Sequence, residues 1–182
     1  LKEMRGFLHD FQVLSVLDSS EIEAQGQSID LNALLRLLVE EHMDLAQGKL
    51  HTLVLDAPAQ LPPAFGIERL VREAIANLIT NAIKYTPLGG SIHVRGNSDG
   101  RLIRVEVTDN GIGIPPDQMG NLFKEFVRLK HPTDRTGNVS GSGLGLSIVR
   151  RIIELHGGSV RVESVANEGS TFIIELPALD GR

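Results

Sequence analysis

The chain has 182 residues, 18 basic and 23 acidic side chains, a formal net charge of −5 and no cysteine. This length suits one domain of ordinary size, or one domain with a helical appendage, and leaves enough chain for a hydrophobic core. The missing cysteine excludes a disulfide framework and a thiolate metal site, and the interspersed charges argue against a surface whose main work is to bind nucleic acid.

Apolar periodicity predicts two helices in the first part of the chain. Residues 1–23 form an amphipathic pattern, and residues 26–29 are predicted to be a turn. Asp30 is a good N-cap for a second helix over residues 31–46. We therefore divide the chain into residues 1–29, an N-terminal helix with its linker, and residues 30–182, a larger domain.

The sequence pattern of the larger domain predicts mainly strands. Short turns join these strands more often than helices do. Strands are predicted at 50–56, 91–97, 101–109, 159–165 and 170–176, and helices at 72–86 and 144–155. The turns at 98–100 and 166–169 make hairpins of two strand pairs. The predicted fold is α+β, with a mixed, mostly antiparallel sheet covered by helices on one face.

The helix at 72–86 carries polar groups where a core helix normally carries none. Asn77 and Asn81 lie four residues apart, with Glu73 one turn before them and Lys84 one turn after. Residues at this spacing share one face of a helix. Amide oxygens suit a hydrated Mg²⁺ whose other ligands are phosphates, while a solvated helix face is the alternative that this helix alone leaves open.

The stretch VTDNGIGIP at 107–115 places a carboxylate on a buried strand face. By the two-residue period of a strand, Asp109 continues the face of Val107. A buried, unpaired carboxylate costs several kcal/mol, so its partner must be a donor of the protein or the amine of a ligand. Gly111 and Gly113 permit positive φ and the close approach of a flat ligand, whereas a plain Asp-Asn-Gly turn is the alternative.

A third motif, GSGLGLSIVRRI at 141–152, has glycines where a helix begins. Gly141, Gly143 and Gly145 would expose backbone N–H groups along the helix dipole, which favours a phosphate. A Walker loop is excluded because no Gly-Lys-Ser/Thr follows, and the dinucleotide fingerprint is excluded because no strand leads in. The long connection at 114–140 has glycines at both ends and several basic residues, which predicts a functional lid.

Taken together, these motifs resemble the ATP-binding domain of sensor histidine kinases, in the GHKL group that also contains gyrase, heat-shock-chaperone and mismatch-repair ATPases. NLITNAIKYTP resembles the N box, DNGIGIP the G1 box, LFKEFVR the F box, GSGLGLSIV the G2 box and GSTFIIELP the closing strand. The motifs follow in the same order over residues 31–177. The resemblance implies the Bergerat α/β sandwich, with ATP and Mg²⁺ as cofactors.

The resemblance also implies a role for each matched residue. Asn81 resembles the Mg²⁺ ligand, Asn77 its partner one turn earlier, and Asp109 the residue that accepts the adenine amine. Of the residues matched, Asn77, Lys84 and Arg128 are expected to act in catalysis. Lys84 and Tyr85 resemble phosphate or ribose contacts, and Arg128 resembles a lid residue near the phosphates. Thr171 resembles a hydroxyl close to adenine. The hinges and phosphate cradle are matched by Gly111, Gly113, Gly141, Gly143, Leu144 and Gly145.

One position departs from the ATP-hydrolysing members of the group. They place a Glu one turn before the Mg²⁺-binding Asn, where it activates water as a general base. Here that position is Asn77, whose carboxamide cannot take up a proton at neutral pH. Glu73 lies another turn back, about 6 Å along the helix axis. We therefore expect the chain to bind ATP but to hydrolyse it slowly.

The function implied is transfer of the γ-phosphoryl group of MgATP to a histidine on a separate helical hairpin, and from there to an aspartate of a response regulator. Residues 1–29 resemble the end of the hairpin's second helix, and His9 is expected to be structural, so the chain is expected to be a fragment without the phosphoacceptor histidine. The implied partners are the hairpin domain of the same kinase, dimeric in the full-length protein, and the response regulator, but no nucleic acid. The alternatives are an ATP-hydrolysing clamp, an anti-sigma-type Ser/Thr kinase, and a regulatory module that binds nucleotide without chemistry.

The sequence contains no apolar run of the length that spans a membrane and no signal peptide. This segment is therefore expected to be cytoplasmic. Whether the full-length protein is anchored in a membrane stays open.

Overall fold

The computed structural model describes residues 25–124 and 143–179, together with Ile22 and Phe126. In this part of the chain a five-stranded sheet carries helices on one face, which confirms the predicted α+β sandwich. The strands, in their order across the sheet, are β2 (Thr52–Asp56), β4 (Ser91–Ser98), β5 (Leu102–Asp109), β7 (Gly169–Pro177) and β6 (Ser159–Val165). β2 pairs with β4 in parallel, and the other neighbours are antiparallel.

A second, two-stranded sheet was not predicted. Its strands are β1 (Gln27–Ile29) and β3 (Ala64–Gly66), which pair in antiparallel orientation. The prediction of a turn at 26–29 is therefore wrong. Three residues are too few to establish a two-residue alternation, and the partner strand lies far along the chain.

The helices of the described residues are α1 (Leu31–Gln47), α2 (Glu68–Tyr85), α3 (Pro116–Met119) and α4 (Gly145–Leu155). The predicted N-cap of α1 is confirmed, because the Asp30 carboxylate accepts a hydrogen bond of 3.0 Å from the backbone N–H of Ala33. None of these helices is both long and apolar enough to cross a membrane. The helix predicted over residues 1–23 lies outside the described residues.

The core lies between the sheet and the apolar faces of α1, α2 and α4. β4 and β5 bury every second residue, so one face of each strand is covered and the other is not. The buried side chains of α2 are Leu70, Val71, Ala74, Ile75, Leu78, Ile79, Ala82 and Ile83. Each large side chain among them contributes about 1.5–3 kcal/mol when it leaves water, so this stripe fixes which way α2 faces.

A buried histidine at the end of α4 joins this helix to the start of α2. His156 is 1% exposed, its Nδ1 lies 2.7 Å from the carbonyl of Ile152, and its Nε2 lies 3.1 Å from the backbone N of Ile67. A carbonyl can only accept and an amide can only donate, so Nδ1 carries the proton and the ring is neutral. The ring also fills the space that a Cβ at Gly66 would need.

The other end of α2 is held by Lys49, which follows α1. Its ammonium donates to the carbonyls of Ile83 and Lys84, at 2.8 and 3.0 Å. These carbonyls belong to the last turn of α2, where no further helical N–H reaches them, and a cation there is favoured by the helix dipole. Both ends of α2 are therefore fixed by side chains from other elements.

The opposite face of the sheet carries charged residues joined across the strands. Arg104 lies 2.8 Å and Arg161 3.5 Å from Glu175, and Arg95 lies 3.2 Å from Asp56. The hydrogen bond from Arg104 holds the pKa of Glu175 below its ordinary value. Exposed pairs of this kind contribute little each to stability, and we call this side the solvated face, although it also buries Ile173 of β7.

Candidate functional site

One of the two asparagines of α2, Asn77, contacts the start of α4. Both are half-buried, and the Asn81 Nδ2 lies 3.4 Å from the Asn77 Oδ1, to which it donates a weak hydrogen bond. The Asn77 amide lies against Gly145, where a Cβ would come within 2.7 Å of the Asn77 Oδ1. Two of the sequence motifs therefore contact each other through Asn77 and Gly145.

This arrangement fits a cation held mainly by phosphate oxygens. In the described residues no group of three His, Asp or Glu side chains is placed to bind a metal ion. The Asn81 nitrogen is directed at Asn77, so its carboxamide oxygen is the atom that can ligate a cation. Mg²⁺ accepts oxygen ligands and keeps several waters, so one or two protein ligands suffice when phosphates supply the rest.

The predicted burial of Asp109 is confirmed. This residue ends β5, is 7% exposed, and its Oδ1 accepts a hydrogen bond of 2.8 Å from the backbone N–H of Gly111. Burial raises the pKa of the Asp109 carboxyl above its ordinary 3.8, although hydrogen bonds from the backbones of Gly111 and Ser170 act in the opposite direction. The Asp-Asn-Gly turn thus exists, and the carboxylate keeps further acceptor sites for a ligand.

The two glycines after Asp109 are required by contacts within the protein. Gly113 has φ of 62°, and a Cβ there would collide with the carbonyl of Val165. Gly111 does not have a positive φ, but a Cβ there would come within 2.7 Å of the Tyr85 carbonyl oxygen. Of the two glycines, only Gly113 adopts the positive φ that glycine permits, and contacts within the protein explain both glycines without a ligand.

Residues 109–114 are held between the end of α2 and the turn that joins β6 and β7. The N–H of Ile112 donates to the Tyr85 carbonyl at 3.2 Å, and the Ile112 carbonyl accepts from Asn167 at 2.8 Å. The N–H of Ile114 donates to the Ser164 Oγ at 2.8 Å. Asp109 is therefore fixed with respect to the helix that carries Asn77 and Asn81.

The strand register determines which hydroxyl shares the face of Asp109. Asp109 is paired with Ser170 across β5 and β7, whereas Thr171 is paired with Thr108, and their hydroxyl oxygens are 3.1 Å apart. Because side chains alternate between the two faces, Thr171 lies on the solvated face and Ser170 shares the buried face of Asp109. The Thr171 hydroxyl therefore does not share the face of Asp109, and its predicted position close to adenine stays a prediction. The hydroxyl that sequence reasoning missed is Ser170, which is 8% exposed.

Lys84 and Tyr85 end α2 one turn after Asn81. The Lys84 ammonium lies 5.0 Å from the centre of the Tyr85 ring, within the range of a cation–π contact, and Tyr85 is 41% exposed. The cation and the exposed ring are both close to Asn81 along the helix. Their predicted contacts with phosphate or ribose remain predictions.

The start of α4 is the described part of the predicted phosphate cradle, which stays a prediction. Gly143 has φ of 75°, and Leu144 is the N-cap residue of α4. Leu144 is fully buried, and its side chain belongs to the core. Gly141 and Arg128 lie outside the described residues. The predicted lid at 114–140 is described only up to residue 124 and at Phe126.

Comparison with known families and curated proteins agrees with this geometry. Residues 66–180 match the family described as histidine kinase-, DNA gyrase B- and HSP90-like ATPase. The adaptive-response sensory kinase SasA of Synechocystis is 36% identical over 177 residues, which are 97% of this chain and 45% of that protein. The phosphate regulon sensor protein PhoR of Pseudomonas aeruginosa is 33% identical over 169 residues, 93% of this chain and 38% of that protein. The chain thus spans less than half the length of these relatives.

Two solved structures share the fold. The catalytic domain of the histidine kinase ThkA, in a nucleotide-free form, superposes with a TM-score of 0.73 at 26% identity, covering 85% of this chain and 98% of that one. Full-length ShkA in complex with AMPPNP gives a TM-score of 0.73 at 30% identity, covering 85% of this chain and 31% of that one.

Proposed function

Because the chain belongs to the family of histidine kinase-, DNA gyrase B- and HSP90-like ATPases, we propose that it is the MgATP-binding catalytic domain of a two-component sensor histidine kinase. It transfers the γ-phosphoryl group of ATP to a histidine on a separate helical hairpin of the same kinase. A response regulator then receives the phosphoryl group on an aspartate. We place this domain in the cytoplasm, where ATP and response regulators are found.

The observation that carries the proposal is that α2 is linked to two different ligand-binding groups. The amides are on the helix itself, and the carboxylate is in a turn bonded to its last residue. Asn77 lies against Gly145 of α4, and Asn81 lies one turn later on α2, bonded to Asn77. The Asp109 turn is bonded to the carbonyl of Tyr85, the last residue of the same helix. An adenine nucleotide has a base with an amine at one end and phosphates at the other. The amine matches the Asp109 acceptor, and the phosphates with their cation match the amides of Asn77 and Asn81.

Each end of the site has a chemical role in this proposal. The Asp109 carboxylate accepts a hydrogen bond from the adenine amine, and a charge-assisted bond of this kind is stronger than a neutral one. Asn81 ligates Mg²⁺, and Asn77 orients Asn81. When bound, Mg²⁺ neutralises phosphate charge. Lys84 adds a second positive charge close to the phosphates.

Phosphoryl transfer needs mainly positioning and charge stabilisation from the protein. The Asn77 carboxamide cannot act as a base, so a water molecule near the phosphates would not be activated by it. An acceptor histidine does not need this activation, because a neutral imidazole nitrogen is a nucleophile. The site therefore favours transfer to a histidine over hydrolysis, with Arg128 expected near the phosphates during transfer.

Calorimetric titration of two variants tests both ends of the site. Asn81→Ala should weaken binding of MgATP strongly and change the affinity for metal-free ATP little, whereas the exposed Asn97→Ala on β4 should change neither. Asp109→Asn should weaken ATP binding by at least ~1.5 kcal/mol, the range for a lost charge-assisted hydrogen bond, and the exposed Asp56→Asn serves as its control. Equal losses with and without Mg²⁺ would assign Asn81 to structure, and unchanged affinity of folded Asp109→Asn would remove the proposed base contact.

A further inference from the structure

Two serines continue from Asp109 across the buried face of the sheet. The register pairs Asp109 with Ser170 of β7 and pairs Ser170 with Ser164 of β6. The Ser164 and Ser170 hydroxyl oxygens are 2.9 Å apart. Side chains directly opposite each other in an antiparallel pair have Cβ atoms about 4.5–5.5 Å apart, so the three side chains form one row beside the Asp109 turn.

The hydrogen bonds of Ser164 determine which serine donates. The Ser164 Oγ lies 2.8 Å from the Gly169 carbonyl oxygen, which can only accept, so the single proton of Ser164 goes to Gly169. The Ser164 Oγ also accepts the backbone N–H of Ile114 at 2.8 Å. The bond between the two serines must then be donated by Ser170. The Ser170 oxygen is left with lone pairs but no proton to offer.

We propose that Ser164 is a positioning residue for the choice of nucleobase: by holding the proton of Ser170, it makes Ser170 an acceptor next to the Asp109 carboxylate. This inference rests on the proposed function, because it assumes that the base lies at Asp109. Two acceptors side by side attract an amino group, which has two N–H donors, either directly or through one bridging water. They disfavour a carbonyl at the same position, since oxygen would face oxygen.

The proposal therefore concerns the group at position 6 of a purine. Adenine has an amino group there, whereas hypoxanthine and guanine have a carbonyl and a protonated N1. Without Ser164, the Ser170 hydroxyl is free to rotate and to donate to that carbonyl. A site built from buried polar groups discriminates strongly because the wrong ligand leaves those groups unpaired. Ser164 would thus set selectivity without contacting the nucleotide itself.

The test is the ratio of the dissociation constants of ITP and ATP, measured by calorimetry on the 182-residue chain. Wild type should prefer ATP. Ser164→Ala should lower this preference about tenfold, through weaker ATP binding and stronger ITP binding, because Ser170 regains a free proton. Ser159→Ala, which removes an exposed hydroxyl that bonds Glu175 on the other face of the sheet, should leave the ratio unchanged.

A second variant separates positioning from general damage to the fold. Ser170→Ala removes the proposed acceptor but keeps the bonds of Ser164 to Gly169 and Ile114, and it should also lower the preference. Adding Ser164→Ala to Ser170→Ala should then change the ratio no further, because Ser164 acts only through Ser170. If Ser164→Ala does not fold, Ser164→Cys, which keeps the size but has a weakly bonding sulfur, should give the same loss.

A wild-type ratio in folded Ser164→Ala or Ser164→Cys overturns the inference, as does a wild-type ratio in Ser170→Ala. Either result can occur while Asp109→Asn still loses ATP affinity, and the proposed function then stands without this addition. If Asp109→Asn binds ATP as wild type does, the base is not at Asp109, and this inference fails together with the proposed base contact.

Discussion

Gly145→Ala tests whether this glycine is needed for Asn77 or for phosphate. The added Cβ would come within 2.7 Å of the Asn77 Oδ1, so the amide must retreat by about 0.7 Å to reach the 3.4 Å of ordinary contact. The bond from Asn81 to Asn77 is already 3.4 Å long, and a movement of this size breaks it. Losing a group that orients a metal ligand typically costs 10–100-fold in metal affinity, so we expect MgATP to bind about tenfold more weakly, or about 1.4 kcal/mol.

The stability of the same variant should change little. Gly145 is the first residue of α4, and alanine gains about 0.5–1 kcal/mol over glycine inside a helix, which offsets part of the strain of moving Asn77. Calorimetric titration with ATP in Mg²⁺ and in EDTA should show the loss only with Mg²⁺. Gly48→Ala is the control, because its Cβ would meet neighbours at 3.4 Å or more. Equal losses in both buffers would refute this reasoning and assign Gly145 to direct contact with phosphate.

Three further predictions concern stability and pH. His156→Ala should lower the free energy of unfolding in urea by about 3–5 kcal/mol, because it removes two buried hydrogen bonds and a buried ring; a loss below about 1 kcal/mol would contradict this role. Gly113→Ala should lower the free energy of unfolding more than Gly89→Ala does, because both glycines have a positive φ, of 62° and 79°, but only Gly89 has open space at its Cβ. Equal losses would mean that the contact with Val165 is unimportant. Burial raises the pKa of Asp109, so its contribution to the stability of the unliganded domain should decrease as pH rises from 3.8 through that pKa. The affinity for ATP should fall on acidification, at a pH where exposed aspartates are still ionised, because Asp109 then takes up a proton. Titrations between about pH 4 and pH 7 should show this acid loss in wild type and not in Asp109→Asn.

Local patterns in the sequence were sufficient where one element determines the outcome. The helical period located the stripe that α2 buries, so it also located Asn77 and Asn81 on another face. The two-residue period predicted the buried side chain of Asp109, and Asp30 predicted the start of α1. Each of these follows from residues within one turn or one strand.

The features that the sequence did not reveal depend on contacts between distant residues. The choice between Ser170 and Thr171 depends on the register of β7 against β5, and a shift of one residue exchanges the two faces. Gly111 was predicted to allow the close approach of a ligand, but the structure already explains it by the carbonyl of Tyr85, 26 positions earlier. The contact between Gly145 and Asn77 likewise joins two motifs whose separation in the chain gives no period to detect.

The most direct test of the central claim measures where the γ-phosphoryl group goes. The chain is incubated with γ-labelled ATP and Mg²⁺, alone and with a helical hairpin that carries an acceptor histidine. Alone, turnover should fall orders of magnitude below the ~10 per second typical of enzymes, and with the hairpin an acid-labile phosphoprotein should form. Fast hydrolysis by the chain alone that Glu73→Gln abolishes, with no label on the hairpin, would contradict the account and indicate an ATPase.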